Sequence, residues 1–441
     1  MDTTSKEHNQ ITPIAVTNWR DIRKKFGIKE KNRRGHMYVI GKTGTGKTSL
    51  LANMAISDIN QGNGIAVIDP HGDMAETLLS HIPEHRVKDV IYVNPSDLSY
   101  PIAFNPLSSV NADIQYQVVS GLISVFRKIY AEFWGPRLEH ILRHCFYTLL
   151  EYPGGTLLDI PNLFTDTDFR KHVLTYVKHE PIRAFWLNEF AHYSAWLRSE
   201  ATAPILNKMS QFLTNLPLRN IAGQTHTSFK FREIMDTSKI LIVNLSKGKL
   251  GDDNSSLLGS MVTTMIFLAA MSRANISEEN RRPFYFYVDE FHNFMTLSFA
   301  NILSEARKYG LNLVLAHQYI RQLPEPIRDA VMGNVGTMIT FRIGIDDAQY
   351  LKKEFAPPFE ESDLINLPNY HIYVKLMIDG VTSAPFSGMT LPLPDVGHSY
   401  KKEIIQYSRA TYAQQRSIVE KNIRQNNVRK FVEEPSQQRL F

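Results

Sequence analysis

Apolar residues in the first hundred positions come in runs of four or five, each closed by a polar or glycine-rich break. His36–Ile40, Ile65–Asp69 and Val90–Val93 read as strands, buried on both faces because they are largely apolar. Between the first two, Ser49–Ile59 places Leu51, Met54, Ala55 and Ile59 on one helical face. This rhythm predicts a parallel sheet with helices on both faces. From about Ser109 to about Met235 the period changes. Leu138, Ile141, Leu142, Cys145, Phe146, Leu149 and Leu150 form one wide apolar stripe, ended by Pro153-Gly154-Gly155. Asp166–Val177, Pro181–Phe190 and Ala203–Leu213 also read as helical, so the stretch is expected to be an all-α insertion. Strands then return at Ile240–Asn244, Phe284–Val288, Leu311–Ala316 and Met338–Ile343, with Leu257–Met271 as a core helix. Ile372–Ile378, Asp379-Gly380 and Val381–Ser387 carry a hairpin signal. Past Pro394 the chain turns polar and helical, with Arg and Lys.

The expected organisation is a basic N-terminal segment (1–35), an α/β motor domain in two parts (36–108 and 236–394), the all-α insertion (109–235), and a basic C-terminal helix and tail (395–441). The length of 441 residues fits two or three lobes. Hydrophobic residues at 43% and charged residues at 21% exclude a disordered or coiled-coil chain. One cysteine, Cys145, excludes a disulfide scaffold and suits a reducing compartment. The N-terminus carries no signal-peptide pattern, and Leu257–Met271 falls short of the ~20 residues a bilayer crossing needs. A soluble, cytoplasmic chain with no membrane segment of its own is expected.

Net charge is +5, unevenly placed. Residues 20–34 hold eight Lys/Arg against two acids, and residues 400–441 hold nine against four. Basic ends suit a polyanion partner, and equally a solvated face and a frayed tail.

Gly41-Lys42-Thr43-Gly44-Thr45-Gly46-Lys47-Thr48 fits G-x-x-x-x-G-K-[ST] in full, with a strand before it and a helix after. Its glycines let backbone N–H groups curl around a phosphate, and the helix N-terminus adds partial positive charge. Lys47 is expected to reach the β- and γ-phosphates of ATP, and the Thr48 hydroxyl to hold Mg²⁺. The strand Phe284–Val288 ends in Asp289-Glu290. With a phosphate loop in the same chain, Asp289 is expected on Mg²⁺ and Glu290 on the attacking water, the pair facing the phosphates from a neighbouring strand. The alternative for Glu290 is a cap on the next segment. Gln318, after Leu311–Ala316, could touch both the water and the γ-phosphate, or simply occupy a turn. Asp69, in Asp69-Pro70-His71-Gly72-Asp73, ends a parallel strand, where ligands bind in open α/β sheets; Pro70 and Gly72 suit a plain turn as well. Arg307 lies on a helix where it could reach a neighbouring subunit's nucleotide, although spacing alone favours an ordinary surface arginine. Arg342 is a charge inside an apolar strand, which needs a partner.

Taken in order, GKTGTGKT, VIDPHGD, FNPL, ILIVNLSKG, FYVDEF, EARKYGLNLVLAHQ and NVGTMITFR resemble the HerA/FtsK superfamily of hexameric DNA-translocating ATPases. Within it they are most similar to the conjugative coupling proteins of type IV secretion, over about residues 36–390. The resemblance implies a RecA-like P-loop NTPase with a central, mostly parallel sheet and an inserted all-α domain. It implies ATP and Mg²⁺ as cofactors, held by Gly41, Thr43, Gly44, Thr45, Gly46, Lys47, Thr48 and Asp289, with Arg342 secondary. It makes Lys47, Glu290 and Gln318 catalytic, with Gln318 as the sensor glutamine and Arg307 as a trans-acting arginine. The implied function is a ring, hexameric in this family, that moves DNA as in conjugative transfer. The implied member is soluble and motor-only, with an effector or secretion-channel protein as partner. Two alternatives are a HerA-like ring in DNA processing or defence that recruits an effector, and a motor for protein cargo.

Overall fold

The computed structural model describes residues 10–18, 22–108, 110 and 112–432. The apolar runs form the strands β1 (Ile11–Thr17), β2 (Lys25–Lys29), β3 (Met37–Ile40), β4 (Gly64–Asp69), β5 (Val90–Val93), β6 (Ile240–Asn244), β7 (Phe284–Val288), β8 (Leu311–His317), β9 (Thr337–Thr340), β10 (His371–Lys375), β11 (Met377–Ile378), β12 (Val381–Thr382) and β13 (Phe386–Thr390). Eleven of them make one sheet in the order β2-β1-β13-β10-β9-β3-β8-β7-β4-β6-β5. From β9 to β5 every pairing is parallel, and β10, β13, β1 and β2 extend the sheet antiparallel. The central strands β3, β4, β6, β7 and β8 are buried at every residue, as a sheet covered on both faces requires. The expected α/β class with a mostly parallel sheet is what the chain adopts.

The described residues form two compact units, one of the stretch ending at Val93 with Phe231–Gly248 and Ile266–Ser408, the other of Asn94–Lys230, Lys249–Met265 and the stretch that starts at Arg409. In the sheet unit, helix Lys47–Asn60 buries Leu50, Leu51, Met54, Ala55 and Ile59 against Met37, Val39, Val67 and Val314. Each large side chain there contributes roughly 1.5–3 kcal/mol. In the helical unit, Pro136–Glu151 buries the predicted stripe through Leu149, and Thr148 accepts a 2.7 Å hydrogen bond from the Trp186 indole.

Several elements differ from the sequence reading. β1 and β2 lie in a stretch to which the sequence assigns no element. Their signal is weak because Pro13 interrupts the run at a register shift, and because β2 is a sheet edge with one buried residue, Ile28. β9 stops at Thr340: Phe341 N–H still donates to the Ile40 carbonyl at 2.8 Å, but the next bond slips onto the glycine loop, Lys42 N–H donating to the Arg342 carbonyl at 2.8 Å. The core helix runs Asp252–Met271, longer than its apolar run because a polar first turn precedes it. It is long and apolar enough to cross a membrane and is mostly buried within the protein. Pro181–Phe190 is a short α-helix, Glu180–Ala184, continued by a π turn. Ala203–Leu213 lies within the longer helix Ala195–Thr214, which contains Pro204.

The basic N-terminal stretch offers less charge than its composition suggests. Arg33 is buried in the sheet unit, its Nη1 2.5 Å from Asp58 and 2.8 Å from the Thr12 hydroxyl, its Nη2 2.8 Å from the Tyr287 hydroxyl. Its guanidinium lies 3.7 Å from the centre of the Tyr285 ring. Lys29 and Lys31 pair with Asp379, and Arg34 with Glu278. Arg23, Lys24 and Lys25 are exposed. Arg20 and the tail from residue 433 lie outside the described residues.

Candidate functional site

Parallel register decides where the site forms. Ile40 stands opposite His317 on β8 and Thr340 on β9, so the three strands end together. The chain leaving β3 is gripped from both sides: Gly41 N–H donates to the His317 carbonyl at 3.3 Å, and Lys42 N–H to Arg342. A Cβ on Gly41 would lie 2.6 Å from Phe341 Cβ. Gly44 (φ 76°) and Gly46 (φ 118°) take left-handed conformations that other residues avoid, and a Cβ on Gly46 would meet the Tyr370 ring at 2.9 Å. Thr43 and Gly44 form the exposed tip, while Thr45 is buried with its hydroxyl donating to the Lys42 carbonyl at 2.7 Å. Helix Lys47–Asn60 then starts with no side-chain cap, so its first N–H groups are available to an anion. Lys47 Nζ folds back over the loop and donates to the carbonyls of Gly41 (2.6 Å) and Lys42 (3.2 Å). Burial lowers its pKa, and the charges of Glu290 and Asp289 oppose that shift.

The acid pair arrives from β7. This strand is not the neighbour of β3, as expected, but the next but one, with β8 between them. Gln318, at the end of β8, therefore lies between the glycine loop and the acids, and its Nε2 donates to Glu290 Oε1 at 2.9 Å. Thr48 Oγ1 donates to Asp289 Oδ2 at 3.0 Å, and Asp289 Oδ1 accepts the Glu290 N–H at 2.9 Å. Both acids are nearly inaccessible to solvent. Burial raises the pKa of Asp289; Lys47 opposes the rise and Asp69 adds to it. Burial also raises that of Glu290, with Asp289 adding. One ammonium thus faces two buried carboxylates and a third close by, beside a hydroxyl. That donor set suits a hard divalent cation such as Mg²⁺ at Thr48 and Asp289.

Glu290 has a left-handed backbone (φ 47°, ψ 48°), unusual for a residue with a side chain. It occupies the cap position before the turn Phe291–Asn293, whose Asn293 N–H donates to its carbonyl at 2.9 Å, so it caps the next segment as well as facing the site. That turn brings His292 back to 3.5 Å from Glu290 Oε2. Sequence reasoning passed over His292. Its only sequence signal is its position two residues beyond an acid at a strand end.

Asp69 is committed locally: its two oxygens accept the N–H groups of His71 (2.8 Å) and Ala75 (2.9 Å), fixing the turn into helix Asp73–His81. Arg342 sits beside the loop through its backbone, while its side chain donates to the Leu367 carbonyl and to Asn369 Oδ1 (2.9 Å). Arg307 is not brought to this site. It is exposed in the turn Arg307–Tyr309, just before β8 begins, and its charge acts on His36 at the start of β3. The glycine loop lies where these strands end, and the seven residues of β8 put roughly 20 Å between the two ends.

A loop with this geometry can cradle phosphate oxygens on N–H groups, and a buried carboxylate beside it can accept a proton from water. Comparison with known proteins points the same way. DotL of Legionella pneumophila, a type 4 coupling protein, is 21% identical over 348 residues, which make up 65% of this chain and 44% of DotL. The chain thus spans less than half the length of that curated relative. The plasmid coupling protein TrwB, solved in complex with ADP and Mg²⁺, superposes with a TM-score of 0.61 at 16% identity, covering 89% of this chain and 92% of that one. VirB4 of Thermoanaerobacter pseudethanolicus gives 0.53 at 12% identity, covering 89% and 97%. These likenesses fit the RecA-like fold with a helical domain. A sequence model of the type IV secretion-system coupling protein DNA-binding domain matches residues 24–355, three-quarters of the chain, and to that family of P-loop proteins the chain belongs.

Proposed function

We propose that the protein is an ATP-hydrolysing motor that assembles into a ring, hexameric by the family resemblance, and translocates DNA in type IV secretion-like transfer. The observation that carries this reading is the convergence of Lys47, Thr48, Asp289, Glu290 and Gln318 at the ends of β3, β7 and β8. In it, the N–H groups of Gly44–Lys47 hold the β- and γ-phosphates, and Lys47 exchanges its loop carbonyls for phosphate oxygens. Thr48 and Asp289 hold Mg²⁺, which when bound neutralises phosphate charge and orients the triphosphate. Glu290 orients a water and accepts its proton. The water oxygen bonds to the γ-phosphorus as the bond from that phosphorus to the β,γ-bridging oxygen breaks, leaving ADP and inorganic phosphate. Gln318 moves from Glu290 to the γ-phosphate and so registers its presence.

Arg307 cannot serve its own chain across the sheet, so its role is at the nucleotide of a neighbouring copy. Its turn is well anchored for this. The buried Arg273 donates to the Tyr309 carbonyl at 3.0 Å and the Arg282 carbonyl at 2.7 Å, and Arg281 binds the Lys308 carbonyl. A transferred arginine of this kind contributes on the order of a thousandfold or more in rate. Hydrolysis then removes a contact that bridges two subunits, which couples chemistry to movement.

The test is ATP turnover with and without single- and double-stranded DNA, alongside the mass of the assembled particle. Lys47→Ala should abolish ATP binding; Glu290→Gln should bind ATP and not turn it over. Mixing inactive Arg307→Ala with inactive Glu290→Gln should restore some activity, because a mixed ring contains intact interfaces. Turnover indifferent to DNA would move the reading to protein cargo, and a particle that stays monomeric in saturating ATP and DNA would end it.

A further inference from the structure

The segment after β8 reaches Glu290 twice. Gln318 holds one carboxylate oxygen directly. The other arm runs through Gln322, whose Oε1 accepts the Tyr319 backbone N–H at 3.2 Å and whose Nε2 lies 3.3 Å from His292 Nε2. A backbone N–H only donates, so the oxygen end of the amide is fixed on Tyr319 and the nitrogen end faces the histidine. A primary amide nitrogen also only donates, so His292 Nε2 accepts and the ring proton lies on Nδ1. That proton is on the nitrogen 3.5 Å from Glu290 Oε2, a buried oxygen that accepts no hydrogen bond among the described residues. A closure of about 0.5 Å turns the approach into a hydrogen bond, a tightening common in catalytic sites once substrate arrives.

We infer that Gln322 and His292 form a second positioning arm for the Glu290 carboxylate, with Gln322 selecting the Nδ1–H tautomer of His292 and that N–H holding Oε2. This rests on the hydrolytic reading above and adds to it a division of labour between the two oxygens. When Gln318 turns to the γ-phosphate, Oε1 is released to take the proton of the attacking water. Oε2 stays held by His292, so the carboxylate keeps its direction during the step that needs it. His292 touches neither substrate nor metal in this scheme and is a positioning residue. Both arms spring from residues 318–322, so movement of that segment changes the hold on both oxygens together.

The experiment compares His292→Phe, which keeps a ring and removes the donor, with His292→Asn, whose side-chain amide N–H replaces Nδ1–H. ATP affinity by fluorescent-nucleotide titration and melting temperature are followed in parallel. His292→Phe should lose roughly ten- to a hundredfold in kcat with ATP affinity within about twofold, as for other residues that orient a reacting group. His292→Asn should recover most of that loss. In ring-¹⁵N-labelled protein the His292 signals, assigned from the His292→Asn variant, should report Nδ1–H in the wild type and a mixture of tautomers in Gln322→Leu. Wild-type turnover in His292→Phe, equal loss in Phe and Asn, or an Nε2–H tautomer in the wild type each overturns the inference. Turnover at the wild-type rate in Glu290→Gln overturns instead the hydrolytic reading beneath it, and the tautomer measurement is independent of turnover.

Discussion

Arg33 separates charge that can meet a polyanion from charge that holds the fold. It belongs by composition to the basic stretch at residues 20–34, yet its side chain is 1% exposed against an Asp58 side chain at 0%. Arg33→Ala leaves that carboxylate in the core without its cation, held only by the Thr12 and Tyr287 hydroxyls. It also removes the donors to Thr12 and Tyr287 and the guanidinium over Tyr285. Breaking a buried pair from one side costs about 3–5 kcal/mol, because the remaining charge has lost its partner and cannot reach water. For a unit of this size each kcal/mol moves the midpoint by about 2–4 °C, so the melting transition should fall by ~10 °C. Arg33→Leu combined with Asp58→Leu should recover much of this, since no lone charge remains buried. Scanning calorimetry measures the shift, and salt titration of DNA affinity gives the second readout. Each phosphate contact contributes about 0.9 to the slope of log affinity against log salt on duplex DNA. Below its melting point, Arg33→Ala should leave that slope unchanged, while Lys24→Ala or Lys25→Ala lowers it wherever those exposed residues meet phosphate. A single variant that melts within ~2 °C of wild type, or one that lowers the slope by a full contact, would refute the placement of Arg33 as a structural charge.

Three further outcomes are expected. His36 is buried, with Nδ1 accepting the Leu313 N–H at 3.2 Å and Nε2 3.2 Å from the Leu303 carbonyl; burial, with the charge of Arg307 adding, lowers its pKa to about 4. The unfolded chain takes up this proton near pH 6.5 and the folded chain does not, so His36's contribution is complete above pH 6.5 and is lost as pH falls toward 4, by roughly 3 kcal/mol. Urea midpoints at pH 7 and 5 should therefore differ less in His36→Asn than in wild type, and an equal difference would contradict this. Gly46→Ala forces φ 118° on a side chain and sets its Cβ 2.9 Å from Tyr370; ATP affinity by titration should fall tenfold or more with little change in melting. Arg273→Ala frees the Arg307 turn, so ATP affinity should hold while assembled-ring turnover drops at least tenfold; unchanged turnover would show that the turn needs no such anchor.

The amino-acid sequence by itself determined the elements whose signal is local. The apolar runs of β4, β6 and β7 were legible within a residue because strands buried on both faces leave no room for polar positions. The glycine loop and its helix were legible because left-handed backbone at Gly44 and Gly46 and close approach at Gly41 demand that residue type. The N-terminal stretch was misread for an equally physical reason: a half-exposed edge strand such as β2 and a salt-bridged core arginine look locally like any basic segment. What only the tertiary structure decided was strand order. Inserting β8 between β3 and β7 is a matter of long-range pairing that no local pattern encodes. That order puts Gln318 on Glu290, lets the next turn of chain reach His292, and leaves Arg307 at the opposite end of the sheet from the site its own chain builds.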